Sequence, residues 1–442
     1  MGSVVPILHP KPDFSNQIAK WFPSGEALSI NSRYCKTFTF QITEDCNLRC
    51  SYCYQINKSK KVMPFEIAKK AIDCLFKDNY KIDSYYSLDS MDGIIFDFIG
   101  GEPFLEVDLM DKIMDYFVEQ AYKYKSILAY RFMISISTNG TLYNEPKVQT
   151  FIKKWRSKLS LGISLDGCKE LHDACRVFPD GSGSYDKAVD AVKQEMQINP
   201  NLSTKMTFAH DNLQYIPDAI KNLVELEYTN ISCNCAFEDM WQPGDATLFY
   251  HKLKETADYL LTLNAIPFVS VFAYDCGKPL EEAYNSNWCG GNGLMLCVNP
   301  DGNFYPCQRF TEVSLGADVE PYIIGNVESG IAKTTTEIER IKCLSCITRR
   351  SQSTDECFNC PVASECAWCT GYNYQVFGTP NKRATFICEM HKARVLANCY
   401  FWNRYLRDND IHLRYKLNLD DESCLKIIDE NELSLLRGLE SE

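Results

Sequence analysis

Cys46-Asn47-Leu48-Arg49-Cys50-Ser51-Tyr52-Cys53, placed directly after the β-rich run Tyr34 to Ile42, decides how this chain is read. The spacing puts three thiolates on one short loop, and thiolates are the preferred ligands of soft iron-sulfur centres. A four-iron cube wants four ligands, so such a loop leaves one iron open to a small molecule. Chemistry carried on a loop just past a strand is the habit of parallel α/β folds, where the strand ends form the working rim.

Outward from that loop, the chain from Tyr34 to about Phe237 alternates short β-rich runs with longer helical patterns, as βα units of a parallel sheet do. Strands are predicted at Tyr34 to Ile42, Gly93 to Ile99, Arg131 to Ser137, Leu159 to Leu165, Ser203 to Phe208 and Ile231 to Cys235. Helices are predicted at Pro64 to Phe76, Leu105 to Tyr124, Pro146 to Lys158, Asp186 to Gln197 and Tyr215 to Leu226. Pro64 and Pro146 stand near a first turn, where a missing N–H costs little. The fold class expected is α/β: a partial (β/α)6 barrel, an incomplete version of the eight-stranded one. Five successive strand ends carry polar or glycine-rich loops: the cysteine loop, Gly100-Gly101-Glu102-Pro103, Thr138-Asn139-Gly140, Asp166-Gly167 and His210-Asp211-Asn212.

A helical stretch from Ala246 to Leu263 leads to a different texture between Trp288 and His391, where turns, glycines and cysteines replace the βα rhythm. The organisation expected is an N-terminal extension over 1–33, a barrel with linker helix over 34–280, a cysteine-rich domain of short strands and turns over 281–397, and a helical tail over 398–442 that opens with Asn398 to Leu406.

With 442 residues, 45% hydrophobic and 24% charged, the chain has the composition of a folded globular protein. Its net charge of -12 argues against a nucleic-acid partner and against an anionic membrane surface. The N-terminus lacks a basic region followed by an apolar core, and no apolar run reaches about 18 residues, so a cytoplasmic location is expected. In a reducing cytosol, 22 cysteines read as metal ligands before disulfides. Taken singly, Cys35, Cys74, Cys168, Cys175, Cys233, Cys399 and Cys424 read as small buried hydrophobes.

On the rim, Gly100 and Gly101 permit a close backbone approach, and the Glu102 carboxylate can accept hydrogen bonds from an ammonium group. Ser164-Leu165-Asp166-Gly167 ends the fourth strand, followed by His172-Asp173 and Arg176. In the C-terminal part, Cys289 is followed by twelve residues, Gly302, four residues and Cys307; then come Cys357-x2-Cys360-x5-Cys366-x2-Cys369 and Cys388. Cys-x2-Cys pairs also suit zinc, which would make that region a structural clip.

The Cys-x3-Cys-x2-Cys loop resembles that of the radical S-adenosylmethionine (SAM) enzymes, in which SAM chelates the open iron through its amino and carboxylate groups. The resemblance implies that Cys46, Cys50 and Cys53 hold a 4Fe-4S cluster and that Tyr52 packs beside the adenine. It implies that Gly100, Gly101 and Glu102 hold the SAM amino group, that Ser164 contacts the ribose or carboxylate, and that Arg176 pairs with the carboxylate. Asn139 is a further candidate on the same rim, whereas His172 reads as a helix-start or supporting hydrogen-bonder.

The C-terminal cysteines resemble the seven-cysteine SPASM domain, which carries two auxiliary 4Fe-4S clusters. One departure is that two residues, Ala367-Trp368, stand where that family usually has three. The resemblance implies an outer cluster on Cys357, Cys360, Cys366 and Cys388, and an inner one on Cys289, Cys307 and Cys369. Cys346 is the candidate for the eighth ligand; Cys343, Cys297, Cys276 or an open iron that takes a substrate thiolate compete with it.

Cys366-Ala367-Trp368-Cys369-Thr370-Gly371-Tyr372-Asn373 and Thr385-Phe386-Ile387-Cys388-Glu389-Met390-His391 most resemble the maturases of short cysteine-repeat (CXXX-type) peptides. That implies a radical SAM/SPASM maturase with three 4Fe-4S clusters that oxidatively crosslinks a precursor peptide, forming thioethers, with a flavodoxin- or ferredoxin-type reductant. A carbon-carbon crosslinking or epimerising maturase is the alternative. An anaerobic sulfatase maturase fits less well, because Tyr305-Pro306-Cys307 is followed by Gln308 where that subgroup has an aspartate base. Relatives carry a peptide-recognition domain before the barrel; here the expectation is recognition by the SPASM surface, the tail or a separate protein.

Overall fold

The computed structural model describes residues 35–88, 91–287 and 289–441. The extension predicted over 1–33, the strand start Tyr34 and Trp288 lie outside the described residues.

The first strands and helices follow the predicted order: β1 (Cys35–Gln41), α1 (Phe65–Asp73), β2 (Gly93–Ile99), α2 (Val107–Lys123), β3 (Phe132–Thr138), α3 (Pro146–Trp155) and β4 (Leu159–Ile163). Next come α4 (Lys169–Cys175), α5 (Tyr185–Ile198), β5 (Ser203–Phe208), α6 (Ile216–Glu225), β6 (Asn230–Cys235), α7 (Asp245–Leu261) and β7 (Phe268–Val269). The cysteine-rich part holds β8 (Met295–Val298), β9 (Asn303–Tyr305), β10 (Gly325–Asn326), β11 (Gly330–Ile331), α8 (Thr335–Ser345), α9 (Arg349–Gln352), α10 (Asp355–Phe358) and α11 (Thr370–Phe377). It is followed by α12 (Cys388–Asp408), α13 (Asp421–Leu425) and α14 (Glu430–Ser441).

By contact the chain forms two compact units. The first comprises the described residues of Met1–Asn47, Tyr54–Gly162 and Gly290–Ser345. In it β1 pairs in parallel with β2 and β2 with β3, while β8 pairs in parallel with the other edge of β1, Thr37 opposite Met295 and Phe40 opposite Val298. The sheet then turns antiparallel through β9, β10 and β11. Phe38, Phe40, Phe96 and Phe98 project alternately into the core, as β-rich aromatic runs do on a pleated surface. Helix α2 lays Met110, Ile113, Met114 and Phe117 along one stripe. Phe117 meets Phe96 with ring centroids 4.4 Å apart and Phe132 at 5.2 Å, which seals helix to sheet.

The second unit comprises Leu48–Cys53, Ile163–Cys289 and Cys346–Glu442. Its strands β5, β6 and β7 are parallel, and Ile163 at the end of β4 pairs with Thr204 of β5. Helix α12 packs on α7, where the Tyr400 hydroxyl donates to Asp258 Oδ1 at 2.7 Å. Phe272 and Phe401 meet at 4.7 Å.

Several helices differ from expectation: α8 to α11 lie in the part where short strands and turns were expected, and α4 and α12 depart as well. Helix α4 was not predicted: its seven residues are too few to display a clear period. Helix α12 begins at Cys388, ten residues before the predicted opening at Asn398, because residues 389–397 bury Met390, Ala393, Val395 and Leu396 on the same helix. Of the seven cysteines read as small hydrophobes, Cys74, Cys175, Cys399 and Cys424 are buried and Cys35, Cys168 and Cys233 are half-buried. Among the described residues no helix is long and apolar enough to cross a membrane.

Candidate active site and cluster cysteines

The division between the units passes through the cysteine loop, with Cys46 buried in the first and Cys50 and Cys53 half-buried in the second. In the first unit, the Cys46 amide donates to Asp45 Oδ1 at 2.8 Å and the Glu102 amide donates to the Asp45 carbonyl at 2.9 Å. A Cβ on Gly101 would stand 2.3 Å from the Asp45 carbonyl oxygen and 2.5 Å from Cys46 Cβ, so only glycine lets the second strand-end loop press on the first. The buried Glu102 carboxylate accepts from Thr138 Oγ1 at 2.7 Å, from the Asn139 amide at 2.8 Å and from the Phe104 amide at 3.0 Å. Asn139 Nδ2 in turn donates to Asn47 Oδ1 at 2.9 Å, and Asn47 Nδ2 to Thr141 Oγ1 at 2.8 Å. Glu102 and Asn139 therefore tie the ends of β2 and β3 to the start of the cysteine loop.

In the second unit, the Arg49 amide donates to the Val177 carbonyl at 2.7 Å and the Ser51 amide to the Cys175 carbonyl at 3.0 Å, which brings Tyr52 to the end of β4. There the Tyr52 hydroxyl donates to Asp166 Oδ2. Arg176 Nε donates to the same carboxylate oxygen at 2.7 Å and its guanidinium lies 5.3 Å from the Tyr52 ring centroid. Burial pushes the Tyr52 phenol well above its usual range and the Asp166 carboxylate adds to that, so the phenol keeps its proton as a donor. Ser164 is half-buried just past β4.

His172 completes this corner. Its Nδ1 accepts from the Asp166 amide at 3.4 Å, which leaves Nε2–H to donate to Ser184 Oγ at 3.0 Å, and Ser184 Oγ donates to the Arg176 carbonyl at 2.7 Å. Burial lowers the His172 pKa from 6.5 to about 4. In the unfolded chain the imidazole takes up its proton near pH 6.5. The stability held in the neutral ring is therefore full above pH 6.5 and is lost as pH falls towards 4, by about 3 kcal/mol in total. The difference in unfolding free energy between the natural protein and His172→Gln is expected to shrink by that amount between pH 7 and 4; a constant difference in urea titrations would refute it.

The same unit gathers Cys357, Cys360, Cys366 and Cys388. Burial pushes the Cys366 thiol up to about 12, and it interacts electrostatically with Arg383 and with the other three cysteines. Cys388 is raised by burial and interacts with Cys357 and Cys360. The Cys357 amide donates to the capping Thr354 Oγ1 at 3.2 Å and the Cys360 amide to the Cys357 carbonyl at 3.4 Å, closing the turn of the pair. Cys388 is the first residue of α12, at its positive end. His391, one turn on, donates from Nε2 to the Val362 carbonyl at 2.6 Å and so anchors the link between Cys360 and Cys366.

Cys289 Sγ lies 3.1 Å from Thr370 Oγ1, and Cys369 caps α11 by accepting from the Tyr372 amide at 3.5 Å. Cys307 is buried in the first unit. Of the four competing ligands, Cys346 is exposed, Cys343 half-buried, and Cys297 and Cys276 buried. Among the described residues no group of three or more His, Cys, Asp or Glu side chains converges as one metal ion requires.

The model of the radical SAM superfamily matches residues 40–223, from the end of β1 into α6. The chain carries a radical SAM domain. An uncharacterized protein of Methanocaldococcus jannaschii is 28% identical over 317 residues, 71% of this chain and 95% of the relative. A cysteine-type anaerobic sulfatase-maturating enzyme of Clostridium novyi is 27% identical over 325 residues, 67% and 76% of the two chains. The antilisterial bacteriocin subtilosin biosynthesis protein AlbA of Bacillus subtilis is 24% identical over 289 residues, 63% and 56%. The solved structure of anSMEcpe with bound AdoMet and Kp18Cys peptide superposes with a TM-score of 0.59 at 19% identity, covering 85% of this chain and 99% of the other. The fold is thus shared with that solved structure, and residues 40–223 carry the match to the radical SAM superfamily.

The donor sets of the radical SAM domain and of the cysteine-rich part suit iron-sulfur clusters: they are thiols, with a cation and a helix N-terminus beside the outer four. Sequence reasoning missed Asp166 as a site residue. It stood inside the Ser-x-Asp-Gly segment, but nothing local announced that Tyr52 and Arg176 both bond to its carboxylate. Asn47 and Arg383 were likewise unmarked.

Proposed function

We propose that this radical SAM enzyme is a maturase that oxidatively crosslinks a ribosomally made, cysteine-containing precursor peptide through thioethers. The observation that carries the reading is that Cys366 and Cys388 each interact electrostatically with Cys357 and Cys360, in a chain that also has a three-cysteine loop spaced for a SAM-binding cluster. An all-thiolate set suits a cluster that accepts the electron left when a carbon radical closes on a thiolate.

In this reading Cys46, Cys50 and Cys53 hold the cluster that binds SAM, and Tyr52, Gly100, Gly101, Glu102, Asn139, Ser164 and Arg176 belong to the SAM site. The inner cluster takes Cys289, Cys307 and Cys369, with Cys346 as eighth ligand ahead of Cys343, Cys297 and Cys276. A cluster held by Cys46, Cys50 and Cys53 would supply the electron for reductive SAM cleavage, and clusters held by the C-terminal cysteines would take up the electron that the oxidative crosslink gives off. The chain's own part is positioning: Asp166 holds Arg176 and Tyr52, while Glu102 and Asn139 brace the loop of Cys46. A flavodoxin- or ferredoxin-type protein is the expected electron donor, in the cytoplasm.

The bacteriocin-biosynthesis relative and the peptide-bound solved structure support a peptide substrate. The Clostridium novyi relative favours a second reading, sulfatase maturation. Against it stands Gln308, an amide that cannot serve as a base near neutral pH, and whose Oε1 is buried with no hydrogen-bond partner among the described residues.

Anaerobically reconstituted protein is expected to bind about twelve irons if three 4Fe-4S clusters form. A plateau near four irons with stoichiometric zinc would refute the auxiliary clusters. With a cysteine-repeat peptide as substrate, each crosslink should remove about 2 Da and one alkylatable thiol. Deuterium uptake from solvent at an α-carbon with every thiol kept would establish an epimerase, and a formylglycine product the sulfatase reading.

A further inference from the structure

We propose that Arg383 sets how readily the outer cluster accepts an electron, by donating a charge-assisted hydrogen bond to the sulfur of Cys366. The inference rests on the reading that Cys357, Cys360, Cys366 and Cys388 hold a 4Fe-4S cluster.

Arg383 Nη2 lies 3.0 Å from Cys366 Sγ and 3.2 Å from the Cys366 carbonyl oxygen, so one nitrogen engages both the thiol and the backbone of that residue. The guanidinium lies 4.8 Å from the ring centroid of Trp368, which stands in the short Ala367-Trp368 link between Cys366 and Cys369. Trp368 is 5% exposed. The Arg383 amide donates to the Gln352 carbonyl at 3.1 Å and fixes the backbone from which the side chain reaches. The arrangement aims a permanent cation at one sulfur. Lys392, which interacts electrostatically with Cys388 and Cys360, is engaged at 2.9 Å by Glu389, which offsets its charge.

A donor to a ligand sulfur favours the reduced state of a cluster, because reduction adds negative charge to the iron-sulfur core and its thiolates. A guanidinium does so at every accessible pH, since it does not lose its proton. The outer cluster would thereby accept an electron more readily than it would without the guanidinium. Arg383 is a tuning residue that acts through the sulfur of Cys366.

The test is a redox titration followed by electron paramagnetic resonance on full-length, anaerobically reconstituted protein. Arg383→Gln is expected to keep its iron and to lower the midpoint of the outer cluster alone, by about tenfold in the reduction equilibrium, 59 mV for one electron. Arg383→Lys keeps the charge without the fork and is expected to fall between the two. The shift should be the same at pH 7 and pH 9. An unchanged midpoint in Arg383→Gln overturns the proposal, as does loss of outer-cluster iron from both variants, which would make Arg383 a structural residue. Natural protein that stops at about eight irons fails the cluster reading itself, and that outcome is read from the iron count before any titration.

Discussion

Protein in which Cys46, Cys50 and Cys53 are all replaced by Ala is expected to form no 5'-deoxyadenosine from SAM under strong chemical reduction. The loss should be on the order of a millionfold or more, the lower range of enzymatic acceleration, because the step has no other agent. Misfolding is not the expected cause. The loop is held by backbone hydrogen bonds, from Arg49 to Val177, from Ser51 to Cys175 and from Glu102 to Asp45, none of which uses a thiol. About eight irons should remain on the C-terminal cysteines. Deoxyadenosine at the natural rate in this variant would remove the loop from the chemistry. Its absence together with loss of all iron would mean that the three thiols hold the fold, and far-ultraviolet circular dichroism of the apo form separates that case.

Asp166→Ala carries the largest expected effect on stability. Asp166 is fully buried and Arg176 is 9% exposed, so the pair is held apart from water. Removing the carboxylate leaves a buried guanidinium without its counter-charge, which costs about 3–5 kcal/mol. It also takes the acceptor from the Tyr52 hydroxyl, so SAM affinity should fall as well. The double variant Asp166→Ala, Arg176→Met is expected to recover much of the stability, because the uncompensated charge goes with it, but not the SAM affinity. Urea unfolding of the apo proteins decides the first point. A cost below 1 kcal/mol for Asp166→Ala would show that water reaches the pair.

Much of the fold was legible. The six predicted strands correspond to β1 through β6 within one or two residues, because most are β-branched or aromatic runs, with Gly100, Asn139 and Asp166 marking the ends of β2, β3 and β4. The helices α1, α2, α3, α5 and α6 were legible because their apolar stripes recur at helical spacing over nine residues or more. What was not legible is where distant segments meet. Strand β8 reads as one of several short runs among glycines and cysteines, yet it pairs in parallel with β1, more than 250 residues earlier in the chain. Helix α4 is too short to show a period.

For the site the line falls in the same place. The spacing of Cys46, Cys50 and Cys53, the two glycines before Glu102 and the Cys-x2-Cys pairs are local facts, since a few residues of backbone limit where those groups can go. Sequence alone therefore determined the kind of chemistry. The partners of those groups are decided by packing: Glu102 receives Thr138 and Asn139 from the next strand end, and Asp166 receives both Tyr52 and Arg176. Arg383 reaches Cys366 across a chain reversal. A hydrogen bond works over about 3 Å, and which donor comes that close to which acceptor depends on how strands and loops far apart in sequence are brought together, so only the tertiary structure could decide it.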